Sequence, residues 1–443
     1  MRELLAGPGA ARDAARRLIE AGFNALKIPL MDEGFTLFPA GDAMVRTLAP
    51  RHPDLARRDV LGEMCDTASE LGVPLLAGVE FLGAGDRGSG IRYPAFRRRR
   101  RWAMRNAAGR LHPLGPETQR IWLCPSRHEA VDLFAQVCFE AACGYPLAGL
   151  VLEMPEWRAA DPQEPASDYC YCAACRRRIL ADLADGDDPA ELCADGDFLC
   201  RRNWLFRQVI RGAVLSVRNR VLESRGDGLF FLQGRVVRAD SALPVSPDTA
   251  WFGLAADGAA AGVFTTNYSF RGDDFAAELA ADAQLFTAAV NVCPVLRSIR
   301  PETLIEQVHT LRAMGFTGFM AAHASDLSAE ALERLACEAL AWNGFFVEQA
   351  PLRAAESCLR RLLYLNAGCP PLQSFFRDTS RFLGQCRDRL GISDIEGVMD
   401  NLEHIRAQLA RGAGPPGAPA AKVLRVLASL QKSLFMLCRT LRN

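Results

Sequence analysis

Three cysteines stand within six residues of one another, at Cys170, Cys172 and Cys175. Thiolates this close can converge on one metal ion, and a structural zinc site takes four tetrahedral ligands. A fourth thiolate must therefore come from elsewhere, and Cys124 is the best candidate, because it precedes the helix and strand that lead to the three-cysteine segment. The weaker candidates for the fourth ligand are Cys143, Cys193 and Cys200.

Four thiolates leave no open coordination position for water, so we expect a structural zinc ion that fastens a long loop rather than a catalytic metal. Two alternatives stay open. The cysteines are reduced thiols without a metal, or they hold an iron–sulfur cluster, although no other feature of the chain suggests redox chemistry. The spacing also differs from the CxxxCxxC pattern of radical enzymes.

Acidic residues that could transfer protons stand at the ends of short apolar runs. Glu80 ends one run, Glu153 ends another with Glu156 just beyond it, and Asp326 follows the last run. Glycoside hydrolysis usually requires two carboxylates that flank the scissile bond. Glu153 is predicted to be the general acid or acid/base, and Glu80, Glu156 or Asp326 the second carboxylate. The alternative for each is an ordinary ion pair with one of the many arginines.

Side chains suited to holding a sugar stand at similar positions. Amide and phenol groups bind hydroxyls, and aromatic rings offer a stacking surface. The predicted substrate-binding residues are Trp157, Arg235, Asn267, Tyr268 and His323. The histidine could equally act as an acid/base or be a structural residue.

Two further features are given less weight. Residues 97–101 are five consecutive arginines, which could grip an anionic polymer, but a solvated surface is favoured because the whole chain is neutral. Ser126 lies near His128, yet no GxSxG nucleophile elbow surrounds the serine. Neither feature defines a predicted site.

The elements that must position these residues alternate between helical patterns and apolar runs. Such runs are typical of strands buried on both faces of a parallel sheet. The predicted strands cover residues 23–30, 74–81, 147–153, 228–234, 261–268, 288–295 and 316–323. Helices at residues 11–21, 58–71 and 129–143 precede the first three strands. The pattern predicts an α/β fold, a (β/α)₈ TIM barrel whose first strand is short or missing. A doubly wound open sheet is the alternative, disfavoured because no GxGxxG follows the first strand.

The strand pattern stops after residue 348, and the rest of the chain reads as helices. These are predicted at residues 352–365, 371–390, 393–410 and 420–441, with a flexible break at residues 412–419. We therefore predict a barrel domain over residues 1–348 and a C-terminal α-helical domain over residues 349–443. The helical domain is the candidate surface for homo-oligomer formation.

Composition excludes several classes of protein. The 443 residues are 49% hydrophobic and 23% charged, which is typical of folded proteins rather than of disordered or coiled-coil chains. The 52 basic and 52 acidic side chains give zero formal net charge, so no global field recruits nucleic acid. No signal-peptide core or membrane span is predicted, and we expect a cytoplasmic protein, or an exported one if the N-terminus is truncated.

The cysteine segments resemble a known family. Cys124-Pro125-Ser126, followed by the CxCxxC of Cys170 to Cys175, is similar to the zinc-binding segment of family 42 β-galactosidases. The wider pattern over residues 11–346 resembles the glycosylhydrolase-like barrels near family 10. The resemblance implies a zinc ion held by the four cysteines and an acid/base at Glu153. Two departures stand out: Leu152 replaces an Asn before that glutamate, and the segment AAVNVCPVL lacks the nucleophile carboxylate of strand seven.

Two functional hypotheses from different classes follow. The first is a glycoside hydrolase that cleaves an O-glycosidic bond with carboxylates led by Glu153. The second is a non-catalytic barrel that binds a saccharide or a protein. A metal-dependent deacetylase or an aldolase-type barrel is disfavoured, because the His/Asp ligand cluster that such sites require is missing from the sequence.

Overall fold

The computed structural model describes most of the N-terminal three quarters of the chain and part of the C-terminal quarter. The described residues are 7, 9–21, 23–55, 58–86, 94–106, 109, 111, 120–154, 170–179, 196–224, 229–235, 254–255, 257–266, 272–285, 292–296, 300–316, 318–322, 327–338, 355, 359, 362, 370–385, 392–410 and single positions between 423 and 438.

One sheet of seven parallel strands organises the described chain. Its strands are β1 (Leu26–Pro29), β4 (Leu75–Glu80), β7 (Gly149–Glu153), β8 (Leu229–Arg235), β9 (Gly262–Thr266), β10 (Val292–Leu296) and β11 (Met320–Ala321). They follow one another across the sheet in the order of the chain. A doubly wound sheet reverses its strand order at a switch point, so this order excludes that alternative. All seven predicted strands are present, and most are shorter than predicted.

The sheet curls so that its two edges approach each other. Phe23 lies just before the edge strand β1 and Phe319 just before the edge strand β11, and their rings pack edge to face with centroids 6.4 Å apart. Both phenylalanines pack on one apolar cluster together with Phe316. The architecture is therefore α/β and similar to a TIM barrel, and an eighth strand would belong between β11 and β1.

Helices alternate with the strands along the chain. Those that accompany the sheet are α1 (Ala10–Glu20), α2 (Ala43–Leu48), α3 (Val60–Leu71), α4 (Pro94–Arg98), α5 (His128–Gly144), α6 (Ala173–Ile179), α7 (Gly196–Ser224), α8 (Gly272–Leu285), α9 (Pro301–Ala313) and α10 (Ala329–Glu338). The 29-residue helix α7, which the sequence pattern did not predict, packs along α5. The side chains of Asp42 and Asp59 accept hydrogen bonds from backbone N–H groups in the first turns of α2 and α3, and so cap these helices.

The strands are buried on both faces, as their apolar composition predicts. One face packs against the helices in a large core that includes Ile28, Ala77 and Leu152. The other face forms a smaller cluster built only from strands. Its buried members are Leu76, Val151, Phe231, Phe264, Cys293 and Val295. This second face is the interior of the curled sheet, and we call it the inner face.

Two antiparallel strand pairs interrupt the alternation of strands and helices. The first is a hairpin of β2 (Met31–Asp32) and β3 (Phe35–Thr36), which directly follows β1. The second pairs β5 (Gly83–Asp86) with β6 (Arg120–Trp122); β5 directly follows β4, and α4 lies between β5 and β6 along the chain. Cys124, which comes just after β6, therefore follows a strand of this pair and not one of the seven strands of the large sheet.

The described C-terminal residues are helical and form their own apolar cluster. Helices α11 (Pro370–Gln385) and α12 (Ile392–Ala410) contribute to it with single positions from Ala355 to Cys438. Of the four predicted C-terminal helices, these two correspond to residues 371–390 and 393–410, and the other two lie largely outside the described residues. The predicted boundary at residue 348 also falls outside them, so the division into two domains stays a prediction. Among the described residues, no helix is long and apolar enough to cross a membrane.

Candidate active site and cysteine cluster

A row of polar side chains crosses three neighbouring strands at their C-terminal ends. Glu80, Glu153 and Gln233 are paired in register on β4, β7 and β8. Because side chains alternate between the faces of a strand, Glu153 shares the inner face with Val151, and Gln233 shares it with Phe231. Parallel barrels place their chemistry at this end of the strands. We call these three residues the polar row.

Lys27 on β1 contacts two residues of the polar row. Its Nζ lies 2.5 Å from Oε1 of Glu153 and donates a hydrogen bond of 2.6 Å to Oε1 of Gln233. The Lys27 side chain is 17% exposed and that of Glu153 is 31% exposed, so the ion pair is partly shielded from water. One ammonium thus joins a carboxylate and an amide that come from two other strands. Sequence analysis assigned no role to Lys27.

Gly78 provides the space through which the lysine reaches its partners. It lies on the inner face of β4, paired with Pro29 of β1 on one side and with Val151 of β7 on the other. A Cβ atom at position 78 would come within 2.4 Å of Cε of Lys27 and within 2.6 Å of Oε1 of Glu153. Neither distance is sterically tolerable, so any other residue at this position must displace the ion pair.

Glu80 is the second carboxylate of the polar row. It lies beside Glu153 on the adjacent strand, where neighbouring backbones are about 4.8 Å apart. Its side chain is directed toward the start of β5, since its Oε2 lies 2.7 Å from the position that a Cβ of Gly83 would take. The structure thus brings together two of the four predicted catalytic carboxylates.

The other predicted site residues lie outside the part of the chain that the structure describes. They are Glu156, Trp157, Asn267, Tyr268, His323 and Asp326. Arg235 ends β8 two residues after Gln233, and only its backbone is described. Their predicted roles stay predictions.

The four predicted cysteine ligands lie together in the core. Cys124, Cys170, Cys172 and Cys175 are all buried, and their sulfur atoms lie within 4.8 Å of one another. The sulfur atoms of Cys124 and Cys175 are 3.3 Å apart. A tetrahedral Zn–S₄ site with bonds of ~2.3 Å separates its sulfur atoms by ~3.8 Å. The cluster therefore fits a metal ion of this kind, with small adjustments of the side chains.

Backbone hydrogen bonds assemble this cluster from two distant segments. The N–H of Cys124 donates to the carbonyl of Trp102 at 2.7 Å, and the N–H of Tyr171 donates to the carbonyl of Arg105 at 2.8 Å. The short 3₁₀ turn that ends at Trp102 and the stretch that follows it thus hold both cysteine segments. Helix α6 begins within the CxCxxC motif and adds the fourth sulfur, from Cys175.

The pKa values of the cysteine thiols in the cluster are shifted in opposite directions. Hydrogen bonds from the thiols of Cys124, Cys170 and Cys175 lower the pKa of Cys172, whereas burial raises the pKa of Cys170. A buried thiolate requires a counter-charge, which a divalent cation would supply. Of the weaker ligand candidates, Cys143 is exposed on α5. The side chains of Cys193 and Cys200 lie outside the part of the chain that the structure describes.

The five arginines at residues 97–101 are all exposed, and Trp102 after them is buried. This placement agrees with the interpretation of a solvated surface.

A residue pair that sequence analysis missed joins the first hairpin to the segment before α3: Nε2 of the buried His52 is 3.7 Å from Oδ2 of Asp32. Burial raises the pKa of Asp32, and the histidine partly offsets this. No sequence motif joins these two residues.

A cavity of about 620 Å³ lies between the Phe38–Asp42 segment and helix α5. Its carboxylates serve the backbone and neighbouring side chains. Glu140 accepts the N–H groups of Gly41 and Asp42 at 2.6 and 2.9 Å, and Asp59 accepts the hydroxyl of Tyr145 at 2.6 Å. These contacts are structural, so the cavity is not assigned to a ligand.

Comparison with solved structures gives the fold, at low sequence identity. No protein-family model matches the chain, and no curated protein matches it. Among solved structures, a β-galactosidase from the haloarchaeon Halorubrum lacusprofundi is similar, with a TM-score of 0.52 and 11% identity over 81% of this chain and 63% of that one. A β-galactosidase from Marinomonas ef1 has a TM-score of 0.50 and 10% identity, over 76% and 57% of the two chains. The chain thus spans less than two thirds of these proteins, and it shares the fold of the parts that it matches.

Proposed function

We propose that this protein is a glycoside hydrolase that cleaves an O-glycosidic bond, with Glu153 as its general acid/base. The observation that carries the proposal is the polar row, whose three residues lie in register on neighbouring strands, with the ammonium of Lys27 in contact with Glu153 and Gln233. The fold shared with two β-galactosidases supports the proposal at the level of architecture. The resemblance to family 42 rests on the cysteine motif, and the resemblance to the family 10 type rests on the wider pattern over residues 11–346.

Glu80 is the proposed second carboxylate. Of the three candidates from the sequence, it is the one that the described residues bring beside Glu153. Carboxyl groups about 5–5.5 Å apart perform retaining hydrolysis, in which one is the nucleophile and the other donates and then removes a proton. Neighbouring strand ends can provide such a separation. This arrangement would replace the nucleophile that β10 lacks in its sequence VCPVL.

Lys27 affects how Glu153 would work. An ammonium in direct contact favours a negative charge on its partner, which suits the step in which the carboxylate removes a proton from water. In the acid step, Glu153 must carry a proton, and an incoming sugar that draws Lys27 away would permit this. Gln233 is placed to bind a sugar hydroxyl beside the reacting bond.

The cysteine cluster is the proposed zinc site. Cys124, Cys170, Cys172 and Cys175 would hold the ion and fasten the segment that follows β7. Zinc with four thiolates supplies no activated water, so its role is to stabilise the fold. We further propose that the barrel is completed by an eighth strand and that residues 349–443 form a helical unit.

A second candidate function is a non-catalytic barrel that binds a saccharide. The observation that favours it is the ion pair of Lys27 with Glu153, since a carboxylate engaged in this way can serve as a fixed hydrogen-bond acceptor for a ligand. The two functions differ in the fate of the ligand, which an experiment can follow.

The test is hydrolysis of a panel of aryl glycosides and oligosaccharides by the wild type, Glu153→Gln and Glu80→Gln. General acid–base catalysis contributes about 10²–10⁴-fold, and we expect each substitution to lower kcat by at least about 10²-fold. Glu333→Gln, which changes an exposed glutamate of α10, is the matched control and should keep full activity. Binding of a saccharide without turnover by the wild type would favour the binding protein.

A further inference from the structure

We propose that Lys27 is a positioning residue that fixes the side chain of Glu153 by an ion pair and orients the amide of Gln233, and that Gly78 leaves the space through which it reaches both. This inference deepens the proposed function, since it concerns the same catalytic carboxylate. It depends on contacts between residues from three strands, and on the space at a fourth position.

The first argument is the path of the lysine side chain. Lys27 is paired in register with Leu76, and Leu76 with Gly149, so the lysine starts four residues below the level of Glu153. Its ammonium nevertheless lies 2.5 Å from that carboxylate. The side chain must therefore run up the inner face across β4. It crosses that strand at Gly78, where a Cβ would lie 2.4 Å from Cε of Lys27.

The second argument is the orientation of Gln233. An ammonium group has only donors, so the amide atom that lies 2.6 Å from Nζ must be the oxygen. The amide NH₂ is thereby directed away from the lysine, as a pair of donors for an acceptor such as a sugar hydroxyl oxygen. Without Lys27, nothing in this contact would distinguish the two orientations of the amide.

The third argument is the balance of charge around Glu153. From β1 it faces the positive Lys27, from β4 its neighbour is the negative Glu80, and from β8 it faces the neutral Gln233. The side chain of Arg235, the charged residue of β8, is outside the described set. With Lys27 removed, the described neighbours leave one like charge and no opposite charge, so no ion pair among them would hold the Glu153 side chain in place.

The experiment follows both partners of Lys27 directly, by NMR of protein labelled at the glutamate carboxyl carbons and the glutamine amide nitrogens. The spectra of Glu153→Gln and Gln233→Ala identify the two signals. Lys27→Met removes the charge and keeps the length of the side chain, and we expect it to move both signals. Lys27→Arg keeps the charge and should return both signals most of the way toward their wild-type positions. Unchanged signals in Lys27→Met would overturn the proposal.

Gly78→Ala tests the same idea with every charge intact. The added methyl group must displace the lysine, so both signals should move in the same direction as in Lys27→Met. Gly212→Ala is the matched control, because a Cβ there meets no atom within 4 Å. Signals that stay at their wild-type positions in folded Gly78→Ala, as judged by circular dichroism, would show that the glycine is not required for this path.

These measurements need no substrate, so they separate the positioning role from the hydrolase itself. Moved signals without any turnover support the role of Lys27 and count against hydrolysis. If turnover is found, Lys27→Met should lower kcat with little change in KM, and Lys27→Arg should restore most of kcat. A raised KM with an unchanged kcat would assign Lys27 to substrate binding instead and overturn the positioning role.

Discussion

Cys124 is the residue on which the cysteine cluster depends most, because it alone comes from outside the CxCxxC segment. We expect Cys124→Ser to lose bound zinc and to lower Tm by at least ~3 °C, since a metal ligand contributes directly to folding. Metal analysis of the purified protein and thermal unfolding check this.

The control for that substitution is Cys143→Ser, which changes an exposed cysteine of α5. It should keep the metal content and the Tm of the wild type. Full zinc occupancy in Cys124→Ser would contradict the four-ligand site. Iron in place of zinc in the wild type would instead support the iron–sulfur interpretation.

At the scale of elements, the N-terminus of α3 depends on one carboxylate. Asp59 accepts the N–H of Gly62 at 2.9 Å and the hydroxyl of Tyr145 at 2.6 Å, so it joins this helix to the end of α5. We expect Asp59→Ala to lower the free energy of unfolding by about 1–2 kcal/mol, the usual effect of losing a helix cap. Urea unfolding measures this change.

Asp66→Ala is the comparison, because it removes an exposed aspartate from the middle of the same helix. Its effect should stay within about 0.5 kcal/mol of zero. Tyr145→Phe should reproduce part of the loss, since it removes one of the two contacts. Equal effects of Asp59→Ala and Asp66→Ala would mean that the cap contributes nothing.

At the scale of the whole molecule, the apolar cluster of the described C-terminal residues is separate from the clusters that pack on the sheet. If the two parts unfold independently, calorimetry should resolve two transitions. Leu402→Ala changes a fully buried residue of α12, and Leu150→Ala changes a buried residue of β7. Each should lower a different transition, by an amount that corresponds to about 2–5 kcal/mol. A single transition lowered equally by both variants would contradict the two-domain prediction.

The sequence was sufficient to predict all seven strands, because buried parallel strands are continuous apolar runs that can be recognised one at a time. It was also sufficient to predict which four cysteines cluster. Three of them are close along the chain, and Cys124 is 51 positions from Cys175 but on the same side of one strand–helix unit. The carboxylates Glu80 and Glu153 were predicted for the same reason, since each ends its own strand.

Only the tertiary structure decided what Glu153 contacts. Lys27 and Gln233 are 206 positions apart, and no local pattern relates them. Their contact depends on the register of four strands, on the curl of the sheet and on the missing side chain of Gly78. Each strand can be predicted from the hydrophobic pattern of its own residues, whereas the partners of a side chain depend on how all the strands are aligned. The elements were therefore readable from the sequence, and the ion pair at the centre of the candidate site was not.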